Sequence, residues 1–406
     1  MLNFDNLAAA PALVLTLVVA VMMLAAPPRD ARLKNTTSLV AVLIGTLLIY
    51  LADHPMVLLA GWLVSSLPVM RRSRTRALHT RASVALGASC ILLAAAVFLL
   101  GNSPLTAAVG LGGRSAAWAF GLGTAAALIR SGIFPFHSWA VSAFDNADDM
   151  LPAAALLSGQ SGAFLVARLA LVMPEQAQVA LPVISDLSLM SALLMAFLAI
   201  GETAPRRILA LIAASQGAFL ISGLEIRNVE GITGALVHTL VVSACVAGLV
   251  MVYRLLHARA GDAVDEPFAG LGTRAPRFSL FFLIFALALV GVPGTLGFAA
   301  EDLLFHGALE THPALGIALP LATALSAIAL LRLYAHIFLG KRQLHVVPVS
   351  DARAHERFAC AALIVLLVAT GLTPGFIIAS RTGPASQIAA ALGEQEGRSI
   401  SPHAQQ

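Results

Sequence analysis

About a dozen apolar runs, each close to the length of a membrane-crossing helix, follow one another along this chain with short polar loops between them. No other feature narrows the possible folds so far. A hydrocarbon core takes about 20 apolar residues per helix, within a range of about 17–25. The expected fold class is therefore all-α, a polytopic membrane protein of about 12 transmembrane helices. The spans expected are 7–26, 36–51, 55–70, 82–101, 115–143, 151–172, 179–200, 207–224, 232–253, 278–305, 313–339 and 358–379. Composition agrees: 59% of the 406 residues are hydrophobic and 11% are charged, less than half the roughly 25% of a soluble domain. A soluble enzyme is excluded.

Charge placement sets an expected orientation. Arg29, Arg32 and Lys34 precede the second span, and Arg71, Arg72, Arg74, Arg76 and Arg81 fall in the next-but-one loop. Arg206 and Arg207, then Arg254, Arg259, Arg274 and Arg277, then Lys341, Arg342, Arg353 and Arg357 fall on the same side. The alternate loops are poor in basic residues, and only the acidic loop 145–149 breaks the pattern. Basic loops face the cytoplasm, so both termini are expected outside, in a cell inner membrane. The net charge of +4 thus reads as topology, with no nucleic-acid partner. Residues 1–7 hold Asp5 and no basic residue, unlike a signal peptide, so the first run reads as a retained helix.

Two spans are interrupted. One reads Arg130-Ser131-Gly132-Ile133-Phe134-Pro135-Phe136-His137, the other Gly291-Val292-Pro293-Gly294-Thr295-Leu296-Gly297. Proline removes a backbone donor and clashes with the preceding turn, so Pro135, Pro293, Gly294 and Gly297 mark breaks. Both fall in the fourth span of a five-span unit, 36–173 and 179–340. Five crossings reverse the direction of entry, so the units are inverted repeats, and matched breaks point to an ion site near the midplane. Residues 1–35 form a leading helix and loop, 341–380 a loop and last helix, and 381–406 a flexible polar tail with one short helix.

Ionisable groups within spans are costly, which makes them the candidate proton pathway: Glu301, His238, Arg130, His137, Asp302 and His306. Glu301 follows the second break, and Asp302 is adjacent, with His306 one turn on. Carboxylates and histidines exchange protons near neutral pH when their surroundings tune them. Arg332 and His336 read as residues reaching for headgroups, and Arg168 as an interface anchor. The histidines lack metal-ligand spacing. Cys90, Cys245 and Cys360 read as small buried hydrophobes. No phosphate loop is present, and Ser158 and Ser243 have no adjacent base. No metal and no cofactor are expected, and no self-contained active site.

At these residues the chain resembles the antiporter-like membrane subunits of respiratory complex I and the Mrp cation/proton antiporters, most of all the subunit M branch. Pro135-Phe136-His137-Ser138-Trp139, Arg206 through Gly217, His238, and Gly291 through Phe298 with Glu301 carry the likeness over about 36–340. The resemblance implies half-channels in a larger complex, with other membrane subunits as partners and protons, or sodium, as the moving ion. It also implies departures. Leu63 stands near the family's first-half glutamate, Arg130 replaces a lysine, and Ser158 and Gln160 stand where lysine or histidine is expected. Arginine keeps its proton, so the second half is expected to retain the pathway and the first to be altered. Two other readings follow: a non-conducting scaffold that docks a partner, and the membrane subunit of an energy-coupled inorganic-carbon uptake complex.

Overall fold

The structure, a computed structural model, describes residues 5–26, 33–73, 80–101, 105, 113–145, 150–340 and 349–393. It is built from α1 (Asn6–Ala25), α2 (Leu33–Leu51), α3 (Pro55–Ser73) and α4 (Thr80–Leu100). Then come α5 (Gly113–Ser131), α6 (Ser138–Phe144), α7 (Met150–Ser158) and α8 (Ser161–Val172). The second unit holds α9 (Pro174–Gly201), α10 (Pro205–Gly223), α11 (Val229–Ala260), α12 (Pro276–Leu289), α13 (Leu296–Thr311) and α14 (Pro313–Phe338). It closes with α15 (Ala354–Leu372) and α16 (Gly375–Gly393). Among the described residues, 8 helical stretches are long and apolar enough to cross a membrane, and α2, α3 and α12 add shorter apolar stretches. The molecule is a multi-pass membrane protein.

Both expected breaks are present. The fifth span is α5 and α6, separated at residues 132–137, and the tenth is α12 and α13, separated at residues 290–295. A third break was not anticipated: the span expected at 151–172 divides into α7 and α8 at Gly159 and Gln160. Gln160 adopts a left-handed conformation with φ +46°, and the carbonyls it frees are met from neighbouring helices. Tyr50 donates its hydroxyl to Gly159 O, and Ser243 Oγ lies 2.5 Å from Ser158 O. Such capture is required where no water reaches the backbone.

The centre of the bundle is α10 and α11. Both are apolar on all sides and buried along almost their whole length, as expected of a helix surrounded by others. Small residues let neighbouring helices approach: a Cβ at Gly234 would meet Leu304 N of α13 at 2.5 Å, the small-residue contact common between membrane helices.

Polar contacts gather at the two ends. At one, Arg206 pairs with Asp265 at 2.9 Å, Arg259 with Glu356 at 2.6 Å, and Arg207 with Asp145 at 2.7 Å. His336 is held there against Asp265 O at 3.0 Å. At the other, Arg168 pairs with Asp5 at 2.7 Å and donates to Tyr50 O at 3.0 Å. Arg168 is buried; it clamps α1 and α2 to α8 and is no interface anchor.

The C-terminal segment differs from expectation. In place of a last span reaching 379 and a flexible tail beyond 381, α15 ends at Leu372 and α16 runs on through Gly393 with Ile388 and Leu392 buried. Arg381 donates to Asn6 O at 2.7 Å and Leu7 O at 3.1 Å, and Gln178 donates to Leu392 O at 2.7 Å. One short helix is expected in this tail; its reach from Gly375 to Gly393 and its buried face depend on those partners. Residues 394–406, the loops with Arg29, Arg32, Arg74, Arg76, Lys341 and Arg342, and most of the acidic loop lie outside the described residues.

Candidate functional site

The second break sits where α12 has run 14 residues, about 21 Å from the end carrying Arg277. Its backbone turns back on itself: Val292 N donates to Leu287 O at 3.0 Å, and Thr295 Oγ1 to Val292 O at 2.8 Å. Gly291 takes φ +67°, and a Cβ there would lie 2.6 Å from Glu301 Oε2. Only glycine lets the carboxyl lie against the unwound chain.

Glu301 projects from the second turn of α13 into a cavity of about 420 Å³, lined also by Phe219, Gly291, Phe298, Asp302 and Thr323. Thr323 of α14 donates to Glu301 Oε1 at 3.3 Å. One turn along, Ser326 accepts from Gln216 Nε2 of α10 at 3.1 Å. A Cβ at the next residue, Gly217, would meet Gln160 Oε1 at 3.0 Å. The Gln216–Ser326 pair thus lies between Glu301 and Gln160 of the third break, as separate polar contacts. Sequence reasoning missed Thr323 and Ser326; their i, i+3 spacing in an apolar helix was the available signal.

His238 lies one turn beyond Gly234, on the face of α11 turned to α13, and is 1% exposed. Neither ring nitrogen has a hydrogen-bond partner, an unusual condition for a buried polar group. Its ring stacks on Phe219 with centroids 5.0 Å apart and planes at 18°. Phe219 also lines the Glu301 cavity, so one aromatic ring borders both groups.

The other expected residues separate. Asp302 and His306 sit on the outer face of α13, with side chains 50% and 58% exposed and 3.3 Å between Oδ1 and Nδ1. Asp302 still edges the Glu301 cavity; His306 is turned away from the interior. His137, after the first break, lines a cavity of about 630 Å³ with Arg81, Asp145, Glu202 and Arg207. Its Nδ1 has no hydrogen-bond partner.

Arg130, in the last turn of α5, is 2% exposed. Its guanidinium lies over the Trp62 ring at 4.3 Å. Nε donates to Ser161 Oγ at 2.7 Å, Nη1 to Ser66 Oγ at 2.9 Å and Trp62 O at 3.3 Å, and Nη2 to Ser65 Oγ at 2.6 Å. Leu63 is 40% exposed and faces outward, and among the described residues the guanidinium's hydrogen bonds go to hydroxyls and a backbone carbonyl.

Known proteins share this architecture. In respiratory complex I from Thermus thermophilus with bound NADH, one chain superposes with a TM-score of 0.85 at 24% identity, over 97% of this chain and 86% of that one. A chain of the Mrp complex from Dietzia sp. DQ12-45-1b gives 0.83 at 19% identity, over 96% and 86%. The NADH-quinone oxidoreductase subunit N 2 of Acidobacterium capsulatum is 29% identical over 59% of this chain and 50% of its own length. Subunit M of Mycobacterium tuberculosis H37Rv is 28% identical over 61% and 45%. The chain spans about half the length of these curated relatives. Residues 47–326 match the family as a whole, and on that match the chain belongs to the NADH:quinone oxidoreductase/Mrp antiporter transmembrane family.

Proposed function

We propose that this chain is an antiporter-like subunit of a multi-subunit membrane complex and passes protons through its second helical unit. Glu301 is the group that takes up and releases the proton. The observation that carries this reading is its carboxyl group, aimed into a cavity beside an unwound stretch of α12–α13. Thr323 orients one oxygen. His238, without other partners and sharing Phe219 with that cavity, is the second exchange group, and water in the cavity would complete the path. The basic loops face the cytoplasm and both termini the opposite side of a cell inner membrane, as charge placement favours. Neighbouring membrane subunits supply the driving conformational change. A scaffold role is favoured by the first unit alone, where a fixed arginine stands in place of an exchangeable lysine.

The test uses the tagged full chain with whatever membrane subunits copurify in mild detergent, reconstituted into vesicles. Proton flux is read with a pH dye under an imposed potassium diffusion potential. Glu301→Gln should lower the flux at least about tenfold, as loss of a proton-transfer group does, with the amount of assembled complex unchanged. Undiminished flux in that variant would sink the reading.

A further inference from the structure

We propose that the outward face of α9 around Asp186 seats a transmembrane helix of another membrane subunit, and that this helix brings a lysine or arginine against Asp186 inside the bilayer. The inference rests on the reading above only in taking the chain to be one subunit of a complex, and it does not depend on Glu301.

The length of α9 fixes the depth of this residue. The helix has 28 residues and is therefore about 42 Å long. Asp186 stands about 18 Å from its Pro174 end and about 22 Å from its Gly201 end. A hydrocarbon core is about 30 Å thick, so wherever α9 crosses it Asp186 is at least about 6 Å inside. The serines beside it are buried and turned to the bundle. Ser185 Oγ donates to Ser222 O of α10 at 3.0 Å, and Ser188 Oγ to Ile184 O at 2.7 Å. Asp186 is on the other side of the helix and is exposed.

The face around it is otherwise suited to lipid. Val179, Val183, Met190 and Phe197 recur there at helical spacing and are 81%, 70%, 48% and 64% exposed. Among the described residues Asp186 has no hydrogen-bond or ion-pair partner. An ionised carboxylate against hydrocarbon is costly, and its single methylene cannot carry it to the headgroups as the long stems of lysine and arginine do. A cation on a neighbouring helix removes that cost, and the apolar stripe supplies the packing that holds membrane helices together. A second copy of this chain is a poor match. Among the described residues the exposed arginine set deepest in a helix is Arg332, about 9 Å from the Phe338 end of α14. That end lies beside the Gly201 end of α9, since His336 and Arg206 both reach Asp265. Two copies inserted the same way would thus hold Arg332 and Asp186 about 13 Å apart in depth.

The experiment labels Val183→Cys and Met190→Cys, a turn to either side of Asp186, with a benzophenone maleimide in native membranes. Cys90, Cys245 and Cys360 are buried, so the label reports on the introduced thiol. Illumination should join the label to a different membrane subunit, within about one turn of a lysine or arginine in a membrane-spanning helix. Asp186→Leu makes the face wholly apolar, so the chain should accumulate at the parental level while that subunit copurifies at least about tenfold less. Leucine at the partner's basic residue, combined with Asp186→Leu, should restore copurification. Cross-links to lipid alone, to a second copy of this chain, or to a helix without a basic residue would overturn the inference, as would unchanged copurification in Asp186→Leu. If Asp186→Leu does not accumulate, the cross-links decide. A parent chain that copurifies with no other membrane subunit would sink the subunit reading as well, whereas copurifying subunits with cross-links to lipid alone overturn only this inference.

Discussion

Glu301 owes its setting to three neighbours that differ in kind. Thr323 supplies a donor at 3.3 Å, Gly291 supplies the absence of a side chain, and Phe219 supplies an apolar wall shared with His238. Thr323→Val removes the donor at nearly constant shape, so Glu301-dependent flux should fall by a few-fold, about one net hydrogen bond. Gly291→Ala asks a left-handed residue to carry a methyl group 2.6 Å from the carboxylate; flux should fall further, with the carboxyl displaced. Both are read in the vesicle assay, and a flux equal to the parent's in either would argue that the carboxyl is not held as described. Gly121, whose Cβ would meet nothing within 4 Å, is the control: its alanine variant should be indistinguishable from the parent.

Broken helices are stable here because neighbouring elements meet the groups that the breaks release. At the first, Trp139 Nε1 donates to Ile129 O at 2.6 Å and Phe134 N to Ser191 Oγ of α9 at 3.0 Å. At the third, Tyr50 of α2 and Ser243 of α11 do the same. Tyr50→Phe leaves the Gly159 carbonyl unmet in a dry interior, which costs about 1–3 kcal/mol. A lowered midpoint for thermal unfolding in detergent is the expected outcome. An unchanged midpoint would show that water reaches this break. Pro135 and Pro293 made the first two breaks readable in the sequence; the third has no proline, and a Gly-Gln pair inside an apolar run carries too weak a signal to announce it.

For the molecule as a whole, ion pairs at the two ends fasten the outer elements to the core. Glu356 is 3% exposed and receives both Arg259 Nη2, at 2.6 and 2.7 Å, and the Arg353 amide at 2.7 Å. Arg259→Ala strands that carboxylate, at a cost of about 3–5 kcal/mol. The variant should accumulate poorly in the membrane, and Arg259→Ala combined with Glu356→Gln should recover part of the loss. No recovery would mean that Arg259 acts through its packing over Phe278. At the opposite end Arg381 ties α16 to the start of α1. Arg381→Ala should therefore expose residues 375–393 to protease while leaving the helices of the two units protected.

Hydropathy alone determined that the chain crosses the membrane many times, and proline with glycine determined where two helices come apart, because both effects act over a few neighbouring residues. Glu301 and His238 were legible as interior groups for a similarly local reason: each stands inside an apolar run, where an ionisable side chain is costly to insert. Only the tertiary structure decided which of the candidates meet. Asp302 and His306 share α13 with Glu301 but face outward, since a helix turns adjacent residues about 100° apart. Arg130 found its serines on α3 and α8, and α16 found its partners on α1 and α9. Contacts between residues tens to hundreds of positions apart are set by how helices pack, and no local pattern in the sequence records them.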